Sequence, residues 1–143
     1  MKLTLDNDEM VEDFFDHTYC LGIVSPVKPY FFCWLMNHYL GLDFRVCIED
    51  HVEMRRSERT YRFNLYHYKS EESHIHYIYQ NQFDGGHLMP EFKHVDYIWL
   101  IRMEEYQAEL LPDLLESLKT MDQIQVVVQI PQEQIKNPLH LII

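Results

Sequence analysis

Apolar residues fall along this chain in three rhythms, and each rhythm predicts a different kind of element. Alternation of apolar and polar positions marks half-buried strands. Lys2 to Asp6 carries it briefly, Tyr61 to Tyr68 and His74 to Phe83 carry it at length, and Gln123 to Ile130 carries it cleanly. In that last run Ile124, Val126, Val128 and Ile130 are expected to face inward, with Gln125 and Gln129 outward. Unbroken apolar runs rich in β-branched and aromatic types mark strands with cover on both faces. Tyr19 to Val24 reads as a strand and Val95 to Arg102 as the central one, and Phe44 to Val52, interrupted by charges, also reads as a strand. Helical spacing occurs twice. Tyr30 to Leu40 is apolar nearly all round, follows Pro29 in a first-turn position and stops at Gly41, which predicts a helix buried on more than one side. Pro112 to Thr120 places Leu111, Leu114, Leu115 and Leu118 on one stripe, away from Asp113, Glu116 and Lys119.

Turn chemistry punctuates these runs. Ser25-Pro26 stops the first apolar strand, Lys69 to Ser73 joins the two long alternations into a hairpin, and Asp84-Gly85-Gly86 opens a turn before a short strand from His87 to Met89. Pro90 breaks that strand and Pro131 ends the last alternation. Glu53 to Arg59 is dense in charge and is expected to be a loop. Pro138 to Ile143 is apolar and is expected to dock as a final strand, because an exposed tail of this kind would be adhesive. No repeat, low-complexity run or linker interrupts the pattern, so residues 1–143 read as a single globular domain. The order strand, helix, meander, strand, helix, strand predicts the α+β class. It implies a mostly antiparallel sheet, a meander with room for a C-terminal βαβ unit over Val95–Ile130, and two main helices.

The hairpin has consequences for chemistry. The apolar pattern joins Tyr61, Phe63 and Leu65 to Ile75, Tyr77 and Tyr79 on one core face, pairing Leu65 with Tyr77 and His67 with Ile75. His74 and His76 then lie on the other face, so His67 joins them in a three-imidazole zinc site only if the hairpin slips by one residue. That second face carries Tyr66, Tyr68, His74 and His76 with few charges, a composition suited to an interface, where a two-fold homodimer is the default geometry. The alternative is a face covered by the chain itself. Asn37, polar on a buried helix, is expected to hydrogen-bond a neighbouring loop backbone.

Charge and composition narrow the partners. The chain has 143 residues, of which 47% are hydrophobic, and 12 Lys and Arg against 23 Asp and Glu give a net charge of −11. Disorder is excluded by the apolar content. The acidic balance argues against nucleic acid and against an anionic membrane surface. Three cysteines, Cys20, Cys33 and Cys47, are an odd number without a CxxC pair, which suits reduced thiols in a cytoplasmic protein. No apolar run reaches membrane-spanning length and no signal-peptide core follows Met1. Asp6, Asp8 and Glu9 lack the rest of an EF-hand loop and read as a solvated acidic loop. Arg55, Arg56, Arg59 and Arg62 read either as an anion site or as a solvated basic loop.

The segment Met89-Pro90-Glu91-Phe92-Lys93-His94-Val95-Asp96-Tyr97 leads into the central strand and holds two carboxylates near its start. Glu91 and Asp96 read either as an acid and base pair with His94 and Tyr97 beside them, or as caps on backbone N–H groups. The segment resembles the signature of the IPExxxVDY family of small bacterial proteins, with Met89 in place of Ile and with Pro90, Glu91, Val95, Asp96 and Tyr97 matching. The Cys33-Trp34, Asn37 and Leu40-Gly41 spacing is similar to that family's first helix. The family is uncharacterised, so the resemblance implies no activity. No nucleophile elbow, phosphate loop, HExxH or GxGxxG occurs. The sequence therefore points to a non-enzymatic interaction module forming a homodimer or engaging another cytoplasmic protein. A small-ligand-binding regulatory domain and a metal- or carboxylate-dependent hydrolase stand as alternatives. No cofactor, metal ligand set or catalytic residue is indicated.

Overall fold

The computed structural model describes residues 12, 15–16, 18–46, 51–72, 74–103, 106–136 and 141. Ten strands, β1 (Thr18–Val24), β2 (Arg45–Val46), β3 (Val52–Arg56), β4 (Arg59–Phe63), β5 (Leu65–Lys69), β6 (His74–Gln80), β7 (Gln82–Phe83), β8 (Gly86–His87), β9 (Tyr97–Met103) and β10 (Val126–Gln129), occur among them with two helices, α1 (Pro29–Leu40) and α2 (Leu110–Lys119). Six strands form one antiparallel sheet in the order β10-β1-β9-β6-β5-β2. The α+β class, the meander and the two helices are as the sequence predicts. The chain from β9 through α2 to β10 is a split βαβ unit: both strands run antiparallel to β1, which lies between them, and so run parallel to each other.

The sheet is buried on both faces along its centre, which is why β9 reads as one unbroken apolar run. Both helices cover one face. There Phe32, Leu35 and Met36 of α1 and Leu118 of α2 pack on Leu21, Ile23, Trp99 and Ile101. The other face is covered by hairpins and loops, with Phe63, Leu88, Met89 and Val95 packed on Leu65, Tyr79, Ile98 and Leu100. Pro29 opens α1, and Gly41 closes it with the left-handed backbone (φ 68°) that an L side chain rarely adopts.

Four expectations are corrected. Residues 53–59 are not a loop: β3 and β4 form a hairpin turning at Ser57 (φ 50°) and Glu58 (φ 64°), left-handed positions without the usual glycine or asparagine. The two long alternations each break at an asparagine, Asn64 and Asn81, where the chain leaves the main sheet to fold over its loop face. Third, β5 and β6 pair Leu65 with Tyr79 and His67 with Tyr77, two residues from the expected register. The cause is local: the His74 N–H donates to Ser70 Oγ (3.0 Å) while the Ser70 N–H donates to the His74 carbonyl (2.8 Å), so the serine hydroxyl widens the turn. A slip of two preserves the faces. Fourth, Ile124 and Ile130 are buried as expected, but Val126 and Val128 are exposed and half-buried Val127 packs toward the helices, because β10 is an edge strand whose loop face is only partly covered. Lys2–Asp6, the acidic cluster at Asp6, Asp8 and Glu9, Cys47 and most of Pro138–Ile143 lie outside the described residues. Within that tail Leu141 is buried and its carbonyl accepts from the Tyr79 hydroxyl.

Candidate functional site

The start of β9 is held by backbone and side-chain hydrogen bonds on every side. Pro90 opens a single 3₁₀ turn, Pro90–Phe92, as its fixed φ favours. Asn81, fully buried, serves that turn with its whole polar inventory. Its Nδ2 donates to the carbonyls of Phe92 (2.9 Å) and Val95 (2.8 Å), and its Oδ1 accepts from the Met89 N–H (2.8 Å). Its own N–H donates to the Asp96 carbonyl and its carbonyl accepts from Leu88, both at 2.9 Å. Glu91 Oε2 accepts from the Lys136 N–H (2.9 Å) and Asp96 Oδ2 from the Ser25 N–H (2.8 Å). The Tyr97 hydroxyl donates to the Val27 carbonyl, and burial pushes its pKa up.

These contacts give the corner its chemistry. Glu91 anchors the segment that follows β10, while Asp96 and Tyr97 anchor the loop from β1 to α1. The two carboxylates cap separate backbone donors, which is the alternative to an acid and base pair. His94 is exposed. A shallow cavity of about 190 Å³ borders Asp96 and Tyr97, lined also by Ser25, Val27 and Gln80, but the Tyr97 hydroxyl and one Asp96 oxygen are already engaged within the chain. Asn81 is the residue that sequence reasoning missed. Its signal was a polar side chain interrupting an apolar alternation.

The opposite end of β6 holds a different arrangement. Tyr66, His74 and His76 are buried and Tyr68 is half-buried, because the face that carries them lies beneath the helices. This corrects the expectation that they form an interface: the apolar all-round α1 and the leucine stripe of α2 both need this sheet face, and they cover it. His76 Nδ1 accepts from the Trp99 indole N–H at 3.1 Å. Its ring packs edge-on to Phe44 (6.0 Å) and near Tyr68 (5.6 Å). Phe44 is fixed there by Asn37, whose side-chain amide donates to the Phe44 carbonyl (3.1 Å) and accepts from its N–H (2.7 Å), as the sequence predicts for a loop backbone partner. Burial, with a lesser contribution from His74, lowers the His76 pKa to about 4. The neutral ring therefore carries its proton on Nε2.

His74 is 1% exposed, and neither of its ring nitrogens has a hydrogen-bond partner among the described residues. It and His76 border a cavity of about 240 Å³ roofed by α2 and the end of α1. His67 is exposed on the other face of β5. Among the described residues no three His, Cys, Asp or Glu side chains converge as a metal site. Cys20 and Cys33 are buried thiols, and burial pushes both pKa values up. Arg56 donates to the His87 and Leu88 carbonyls and Arg59 pairs with Asp84, so two of the four clustered arginines are engaged within the fold.

A third feature lies on the outside of α1. Phe31 stacks on Trp34 (5.7 Å, 8°) and Trp34 on His38 (4.8 Å, 7°), and the stack faces solvent with Tyr30 70% and Trp34 52% exposed. Large aromatics are rarely left so open on an isolated surface.

No protein-family model matches the chain, and no match is found among the curated proteins. The likeness to the IPExxxVDY family rests on Met89–Tyr97 and on the Cys33-Trp34, Asn37 and Leu40-Gly41 spacing alone. Among the described residues no helix is long and apolar enough to cross a membrane.

Proposed function

We propose that the protein is a non-enzymatic interaction module that pairs with a second copy of itself through the outer face of α1. The observation that carries this reading is the exposed stack of Phe31, Trp34 and His38 beside Tyr30. Aromatic residues supply much of the contact energy at protein interfaces, and these four side chains include no carboxylate. That matters for a chain of net charge −11, since two copies can meet here without opposing acidic groups. A two-fold axis across α1 makes one patch complementary to itself.

Sedimentation equilibrium at tens of micromolar protein tests this. The expected result is a dimer whose Kd rises ten- to a hundred-fold in Trp34→Ala, about 1.4–2.8 kcal/mol, as for an interfacial hot spot. Val128→Lys, on the sheet edge away from α1, is expected to leave association unchanged. A wild-type monomer overturns the reading.

A further inference from the structure

The cavity over His74 borders a buried ring whose two nitrogens both lack a hydrogen-bond partner among the described residues, where the one other such side-chain atom is Glu91 Oε1. The cavity is built by four segments of the chain. The widened turn after β5 brings Ser70 and Glu72 to one side, β6 lays the two histidines along the floor, and α2 crosses above with Leu110, Asp113 and Leu114. Leu40 and Leu42, at and after the end of α1, complete the apolar wall. An uncharged imidazole always presents one donor and one acceptor, and both of those of His74 are buried without a partner among the described residues. A group buried in this state costs free energy unless something entering the cavity completes it.

The electrostatics of the lining select among ligands. The His76 Nδ1 is occupied by Trp99. Glu72 and Asp113, both exposed, stand at the rim, and among the described residues no lysine or arginine lines the cavity. An anion would meet two carboxylates and no cation. A cation would meet two carboxylates and, once the ligand opens a path to the sealed ring, the acceptor nitrogen of His74. The leucines require an apolar body. At the roughly 30 Å³ that a water occupies in the liquid, 240 Å³ holds a ligand of about eight non-hydrogen atoms.

We infer that this cavity binds a small primary amine with an apolar body. Its ammonium group lies toward Asp113, Glu72 and the acceptor nitrogen of His74, and its hydrocarbon lies against Leu40, Leu110 and Leu114. The ring N–H of His74 is left for a hydroxyl or a water carried in with the amine. The site is separate from the α1 face, so ligand binding and self-association fail or survive independently.

Benzylamine, benzyl alcohol and benzoate share one skeleton and differ in charge, and serve as probes for the full chain in slightly alkaline buffer. Binding is read by the ¹⁵N resonances of the His74 ring and by thermal shift. Benzylamine is expected to move the His74 signals and to bind at least ten-fold more tightly than benzyl alcohol, with benzoate inert. Asp113→Asn, at an exposed helical position that leaves the fold intact, is expected to remove most of that preference, while Leu114→Trp fills the cavity and abolishes binding of both neutral and charged probes. Equal binding of the alcohol, tighter binding of benzoate, or no movement of the His74 signals with any probe at millimolar concentration (a cavity that holds solvent only) overturns the inference.

Discussion

The two ends of β6 make opposite use of polar side chains. At its C-terminal end Asn81 is wholly buried and every one of its donors and acceptors is used, binding the Met89–Asp96 corner to the sheet. At its N-terminal end His74 is as deeply buried and neither ring nitrogen is used among the described residues. Satisfied networks rigidify a fold, whereas an unsatisfied buried group is tolerated where binding or chemistry needs it. Asn81 thus ties the conspicuous motif into the sheet, where one Glu91 oxygen, Oε1, is buried without a partner among the described residues, while at the other end of β6 both nitrogens of one ring are in that state.

The sharpest way to break that contrast is Asn81→Ala. It strands a buried N–H and two carbonyls, and is expected to cost about 3–5 kcal/mol in denaturant unfolding. A loss below about 1 kcal/mol would show that the corner is held by something other than Asn81.

The histidine end makes a pH prediction. His76 stays neutral in the fold because its pKa falls from 6.5 to about 4, so the unfolded chain takes up the proton first. Its contribution to stability is then complete above about 6.5 and is lost as pH falls toward about 4. The expected decline is on the order of 3 kcal/mol relative to His76→Gln, compared by urea titrations across that window. Parallel pH profiles of the two proteins would contradict a buried neutral ring.

The smallest effect is expected at the motif's own acid. Asp96→Ala removes one acceptor from the Ser25 N–H and should cost about 1–2 kcal/mol. Because Asp96 is read as a cap, amine binding at the far cavity should be unchanged in this variant, measured by the same ring resonances of His74.

Much of the fold was legible in the residues. The helix from Pro29 to Gly41, the leucine stripe of α2, the unbroken apolar run of β9 and the partner of Asn37 all follow from local chemistry: a fixed φ, a left-handed stop, a period of burial, a polar group that must be satisfied. The parity of His74 and His76 followed too, since a strand sends alternate side chains to opposite faces whatever its register. What sits above each face was not legible. A sequence of tyrosines and histidines looks alike under a helix or under a partner, and the covering belongs to α1 and α2, remote in the chain. The same holds for Asn81, whose five hydrogen bonds reach a loop that folds back only once the sheet exists. Period and propensity act over a few residues and are written into the sequence. Cover, partner choice and the unpaired state of a buried ring depend on distant segments meeting, and tertiary structure alone decides them.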